Sequence, residues 1–259
     1  MIELVSSFFY SKRSLICSIL YLCYCFAFEK VALEFDLIDL NVSLEERTYK
    51  WFEAAKSYEA SLLSESLSTD ESGKCWQRIG NCYDFASRQA KIVDEFREKR
   101  QLGAKAYEKA AEFFSQNISL ESQGEKAECL ANAQYLRSWD TSESIEKLKA
   151  LDGCRVLAKE ALETFKNAND EIRFGQTENL LLKCLFDRLY ITEAKDAIEI
   201  SHEALEHADN AIAFFSKMER KEDLCFAYSY ASLAAWFIAN ISEKEDERKR
   251  AHAGRLYRF

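Results

Sequence analysis

Proline is missing from the sequence altogether, and glycine occurs only 7 times in 259 residues. These residues punctuate turns. Their scarcity excludes collagen-like and proline-rich chains and argues against a sandwich or barrel of many short strands. Positive charge is also short, with 35 Lys and Arg against 44 Asp and Glu and a formal net charge of −9. Non-specific nucleic-acid binding needs basic charge to displace counterions from phosphates, so it is not expected. No C-x-x-C pair occurs among the 9 cysteines, which removes the zinc and redox signatures. Their odd number and irregular spacing point to free thiols in a reducing compartment, and so to the cytoplasm. Apolar residues make up 48% and charged residues 31%, a balance that folds.

Signatures of catalysis are equally scarce. His202-Glu203-Ala204-Leu205-Glu206-His207 resembles a zincin motif, but that motif needs histidines four apart on one helix face. A spacing of five turns the second ring about 140° around the helix, too far for a shared metal. Gly73-Lys74 has no upstream glycine to make a phosphate loop, and no G-x-S-x-G elbow is present. Carboxylates are scattered along helix faces, with Glu108 near Lys105 and Glu112 near Lys109 at helix-surface spacing. The expectation is a non-enzymatic protein with no catalytic residue, no metal and no cofactor.

Helical periodicity is abundant. Trp51, Ala54, Ala55, Tyr58 and Leu62 step by three and four, as do Trp76, Gly80, Tyr83 and Ala86. Polar clusters mark the breaks and predict helices over 44–67, 73–95, 98–116, 121–139, 142–167, 170–190, 193–217, 220–240 and 242–257. Asp140, Thr141 and Ser142 are candidate N-caps for the helix beginning near Glu143. The pattern also repeats. Alanine-rich helices align on Ala55, Ala111, Ala161 and Ala211 at steps of 56, 50 and 50. Helices with an aromatic centre align on Tyr83, Tyr135, Phe186 and Trp236 at steps of 52, 51 and 50. Two interleaved series with one period predict an all-α chain of about four long helical hairpins. Each hairpin buries its apolar stripe against its neighbours, in a right-handed α-α superhelix.

The N-terminal segment stands apart. Residues 15–28 read LICSILYLCYCFAF, with Lys12 and Arg13 before them and Glu29 and Lys30 after. That run is short of the ~20 residues a membrane-spanning helix needs. It resembles the hydrophobic stretch of a signal peptide, and a leader segment, a membrane anchor and an extra core helix all remain open. The expected organisation is a hydrophobic segment over 1–43, a repeat domain over 44–240, and a charged helix or start of a further repeat over 241–259.

W-x3-G-x2-Y at Trp76, Gly80 and Tyr83, followed by A-Y-E-K-A-A-E-F-F at 106–114, resembles the tetratricopeptide repeat (TPR). The long helices are most similar to those of the SNAP-type vesicle-fusion adaptors. The likeness runs over about 44–240 and is strongest at 73–116, though this repeat is longer than the family's standard one and lacks its helix-ending proline. The resemblance implies a protein-binding scaffold whose aromatic-centred helices line a concave surface.

On those helices Asn81, Asn132 and Lys183 recur at 51 residues, as do Arg137 and Arg188. These five are the candidate peptide-binding residues. A ladder of amides and cations would clamp an acidic peptide or a C-terminal carboxylate. The alternatives are a membrane-tethered adaptor held through 15–28, and a regulatory helical segment of a larger complex.

Overall fold

The computed structural model describes residues 50–64, 67–141, 143–218, 221–242, 244–246 and 248–251. The chain divides into two units, Met1–Arg47 and Thr48–Phe259, and every described residue belongs to the second. The hydrophobic segment 15–28 and the tail 252–259 lie outside the described residues. Eight helices are described: α1 (Lys50–Ser64), α2 (Thr69–Arg88), α3 (Val93–Phe114), α4 (Leu120–Arg137), α5 (Ser144–Ala168), α6 (Glu171–Leu189), α7 (Ala194–Lys217) and α8 (Lys221–Ile241). Among the described residues there is no strand.

Side-chain caps set the boundaries that turn residues cannot. Ser68 Oγ accepts from the Glu71 N–H at 3.3 Å, while Glu71 Oε2 accepts from the Ser68 N–H at 2.9 Å. This reciprocal box starts α2 at Thr69 and places Gly73 inside the helix rather than in a turn. Ser119 caps α4 by accepting from the Ser122 N–H at 3.1 Å, and Asp170 caps α6 by accepting from the Arg173 N–H at 3.0 Å. Asn169, at φ 56°, closes α5 in the left-handed conformation that asparagine tolerates. The α2–α3 break falls at 89–92, earlier than the sequence pattern predicts. The Lys91 N–H donates to Glu95 Oε2 at 3.2 Å there, and the N-cap residue Ile92 makes no side-chain cap.

Consecutive helices pack through a lock that occurs three times. A Cβ on Gly73 of α2 would lie 2.8 Å from the Phe114 ring of α3. On Gly124 of α4 it would lie 2.5 Å from Phe165 of α5, and on Gly175 of α6 2.2 Å from Phe214 of α7. Gly73, Gly124 and Gly175 are spaced by 51 residues, so the sequence period is a packing period. Each missing Cβ admits the ring at the end of the next helix. The same station in α8 is Phe226, so that helix cannot receive a ring in this way.

Buried alanines, leucines and cysteines fill the interior. One cluster joins α1, α2 and α3 around Ala55, Ile79 and Tyr83, and another joins α3 and α4 around Tyr107, Phe114 and Leu136. The broadest runs through α5, α6, α7 and α8, with Leu151, Leu181, Leu185, Phe215 and Ala231 fully buried. Residues Asp223–Ile241 are long and apolar enough to cross a membrane. Here Ala227, Ala231, Ala234 and Ile238 from this stretch are buried within the protein.

Candidate functional site

The even-numbered helices carry polar side chains that reach one another across the fold. Gln77 of α2 donates from Nε2 to Glu128 Oε2 of α4 at 3.2 Å. Arg173, in the first turn of α6, donates to Glu128 Oε2 at 2.7 Å, to Glu125 Oε1 at 2.8 Å and to Gln77 Oε1 at 3.2 Å. Asn179 of α6 donates to Asp223 Oδ1 of α8 at 3.1 Å. Gln77, Glu128 and Asn179 are themselves 51 residues apart, so the seam occupies one station of the repeat. Burial pushes the carboxyls of Glu125 and Glu128 above the ordinary range, and the Arg173 guanidinium pulls them back.

Further along the same helices lies a mixed cluster around Lys183. Asp84 of α2 pairs with Arg88 and stands 3.2 Å from Nη1 of Arg100 in α3. Burial works against the Asp84 charge, but Arg88 and Arg100 outweigh it and hold the carboxyl below its usual value. Arg100 is only 4% exposed. Its guanidinium carbon lies 5.0 Å from the Phe96 ring centre, 5.6 Å from Trp139 and 6.0 Å from Tyr135, a cation-π cage. Asp187, one turn on from Lys183, lies near Tyr135, and burial pushes its carboxyl up.

Lys183 is half-buried, and no hydrogen-bond acceptor in the described structure meets its ammonium. Desolvation, followed by repulsion from Arg88, depresses it to about 8, while Asp84 and Asp223 pull it the other way. At neutral pH the amine is still largely protonated, so Lys183 remains a half-buried cation that a carboxylate can pair with.

The other candidate residues are placed differently. Asn81 is exposed and its Oδ1 accepts from the Tyr107 hydroxyl at 2.6 Å. Asn132 turns back on its own helix, donating to the Glu128 carbonyl at 3.0 Å. Arg137 pairs with Glu108 of α3, and Arg188 Nε lies 2.9 Å from Asp152 of α5. Both arginines tie an even-numbered helix to the odd-numbered helix before it. Lys183 alone of the five joins the charged cluster. The Glu108–Lys105 and Glu112–Lys109 spacings do not become ion pairs: Glu108 goes to Arg137, and Lys109 sits 4.2 Å over the Trp76 ring.

Pattern reading missed Asp84, Arg100, Glu128, Arg173 and Asp187. The 51-residue spacing of Gln77, Glu128 and Asn179 was available as a signal; the partners Arg100 and Arg173 break the repeat and left none. Among the described residues no group of three or more His, Cys, Asp and Glu side chains could hold a metal ion. His207 pairs with Glu178 at 2.7 Å, and His202 is exposed. The described cysteines, Cys75, Cys82, Cys129, Cys154, Cys184 and Cys225, are not joined in disulfides. No protein-family model, no curated protein and no solved structure matches the chain.

Proposed function

We propose that this chain is a non-enzymatic interaction scaffold, a right-handed TPR-like superhelix whose even-numbered helices bind an acidic protein segment at Lys183. The observation that carries this reading is the half-buried Lys183 cation, which meets no hydrogen-bond acceptor among the described residues and stands near Asp84, Arg88 and Asp187. A partner carboxylate supplies the missing acceptor and restores the ammonium's ordinary basicity. The repeated Gly–Phe lock supports the superhelical part of the reading, because a packing step reused at one interval rotates each hairpin by a similar amount. Arg137 and Arg188 brace the hairpins.

The test is fluorescence anisotropy with labelled hexaglutamate, hexaserine and hexalysine peptides on the full chain. Hexaglutamate is expected to bind best. A charge-assisted hydrogen bond contributes about 1.5–3 kcal/mol, so Lys183→Met should weaken binding roughly tenfold or more. Affinity should hold below pH 8 and fall as pH rises past the free-state value of about 8, where the unbound amine loses its proton. Equal binding of the three peptides, or unchanged affinity in Lys183→Met, sinks the proposal.

A further inference from the structure

Arg173 lies 96 residues from Gln77 in sequence, yet its Nη2 reaches the Gln77 amide oxygen at 3.2 Å, joining α6 to α2 past the intervening α4. The same fork holds Glu125 and Glu128 of α4, and Gln77 also donates to Glu128, so four side chains from three helices close into one cluster. The two carboxylates are 7% and 6% exposed, while the Arg173 side chain keeps 21% of its surface in contact with solvent. Buried acids answered by a partly open guanidinium make a directional tie. A planar fork meets three acceptors on two helices, which the point charge of a lysine does not.

The position of the tie matters for what lies beside it. Arg173 and Lys183 stand on the same helix ten residues apart, about 15 Å along the axis. Asp84, Arg88 and Gln77 share α2. Lys183 lies within electrostatic reach of Arg88 and Asp84, so the separation of α2 and α6 sets how far these charges stand from it.

We propose that Gln77, Glu125, Glu128 and Arg173 form a clasp that sets the distance between α2 and α6, and with it the opening at Lys183. When closed, the clasp holds the two helices together across α4; when released, α2 and α6 swing apart about the hairpin turns. The effect on peptide binding rests on the function proposed above, whereas the distance itself does not.

The test is the distance distribution between nitroxides attached through p-acetylphenylalanine at Arg78 and Gln176, exposed positions on α2 and α6, in the full chain. Ketone chemistry leaves the 9 cysteines unlabelled. Arg173→Met keeps the aliphatic stem and removes the fork. It is expected to lengthen the mean distance by at least about 2 Å, the scale of helix shifts at interfaces, and to broaden it. Arg173→Lys should resemble Met. Gln77→Ala cuts only the tie to α2 and leaves both ion pairs intact, so it should also lengthen the distance and covers the case in which Arg173→Met fails to fold. Arg155→Met, which breaks an ion pair with Glu203 between α5 and α7, should leave the distance unchanged. The clasp is refuted if folded Gln77→Ala and folded Arg173→Met or Arg173→Lys keep the wild-type distribution, or if Arg155→Met widens it equally. Hexaglutamate binding measured on the same samples separates the two ideas. A changed distance with no hexaglutamate binding retains the clasp and rejects the acidic partner; binding with an unchanged distance does the reverse.

Discussion

Glycine serves two different purposes in these helices. At Gly124 an added Cβ would stand 2.5 Å from Cε1 of Phe165, a fully buried ring with little room to retreat. Gly124→Ala is expected to destabilise the fold by about 1–3 kcal/mol through overpacking. Gly153 lies in α5, where the nearest atom to an added Cβ is Gln134 Cγ at 3.5 Å, an ordinary contact. There Gly→Ala should stabilise by about 0.5–1 kcal/mol, because the unfolded chain loses freedom and nothing clashes. Urea denaturation of the two variants should therefore move in opposite directions. Lys183 is the second residue to test alone. Its depression from 10.5 to about 8 corresponds to about 3 kcal/mol against the ammonium. That penalty is present below pH 8 and vanishes as pH rises toward 10.5, where the unfolded-state amine also deprotonates. Lys183→Met should be more stable than wild type at pH 7, by about 1–3 kcal/mol, with the gap closing between pH 8 and pH 10.5.

At the scale of elements, the starts of α2, α4 and α6 carry serine and aspartate caps, while those of α3, α5 and α7 carry none. The reciprocal Ser68–Glu71 box satisfies two N–H groups at the start of α2. Ser68→Ala should cost about 1 kcal/mol, measured as a lowered denaturation midpoint with an unchanged slope. Glu71→Gln keeps the box geometry and should cost less. The boundary between α2 and α3 shows why local pattern alone misplaced a break. Ala90, Lys91 and Ile92 carry no turn signature, and the N-cap Ile92 makes no side-chain cap; the Glu95 carboxylate accepts from the Lys91 N–H just outside the helix. Cap acceptors of this kind are ordinary glutamates, indistinguishable in sequence from surface charge.

For the whole molecule, burial is uneven along the chain. α6 lies within the broadest cluster, touched by α5, α7 and α8, whereas among the described side chains of α1 only Ala55 is fully buried, in a small cluster. Native-state hydrogen exchange should find the slowest amides in α6, around Leu181 to Leu185, and the fastest helical amides in α1. Protection spread evenly from α1 to α8 would mean that the clusters unfold as one body.

The sequence by itself determined that the described residues are helical and that a period near fifty links the helices, and it placed most of their ends to within a few residues, the α2–α3 break excepted. Apolar spacing and the scarcity of proline and glycine are local properties, legible without coordinates. It also pointed to Lys183, through a spacing of 51 from Asn81 and Asn132. Only the tertiary structure decided how those residues are used. Asn81 and Asn132 spend their amides on Tyr107 and on the α4 backbone, and Arg137 and Arg188 turn to the helix before them. Arg173 and Arg100 have no counterparts in the repeat; Arg173 enters the polar seam from the first turn of α6, and Arg100 meets Asp84 from α3. A side chain's partner depends on the rotation and separation of neighbouring helices, and those are set by Phe114, Phe165 and Phe214 seating on glycines 39 to 41 residues earlier in the chain.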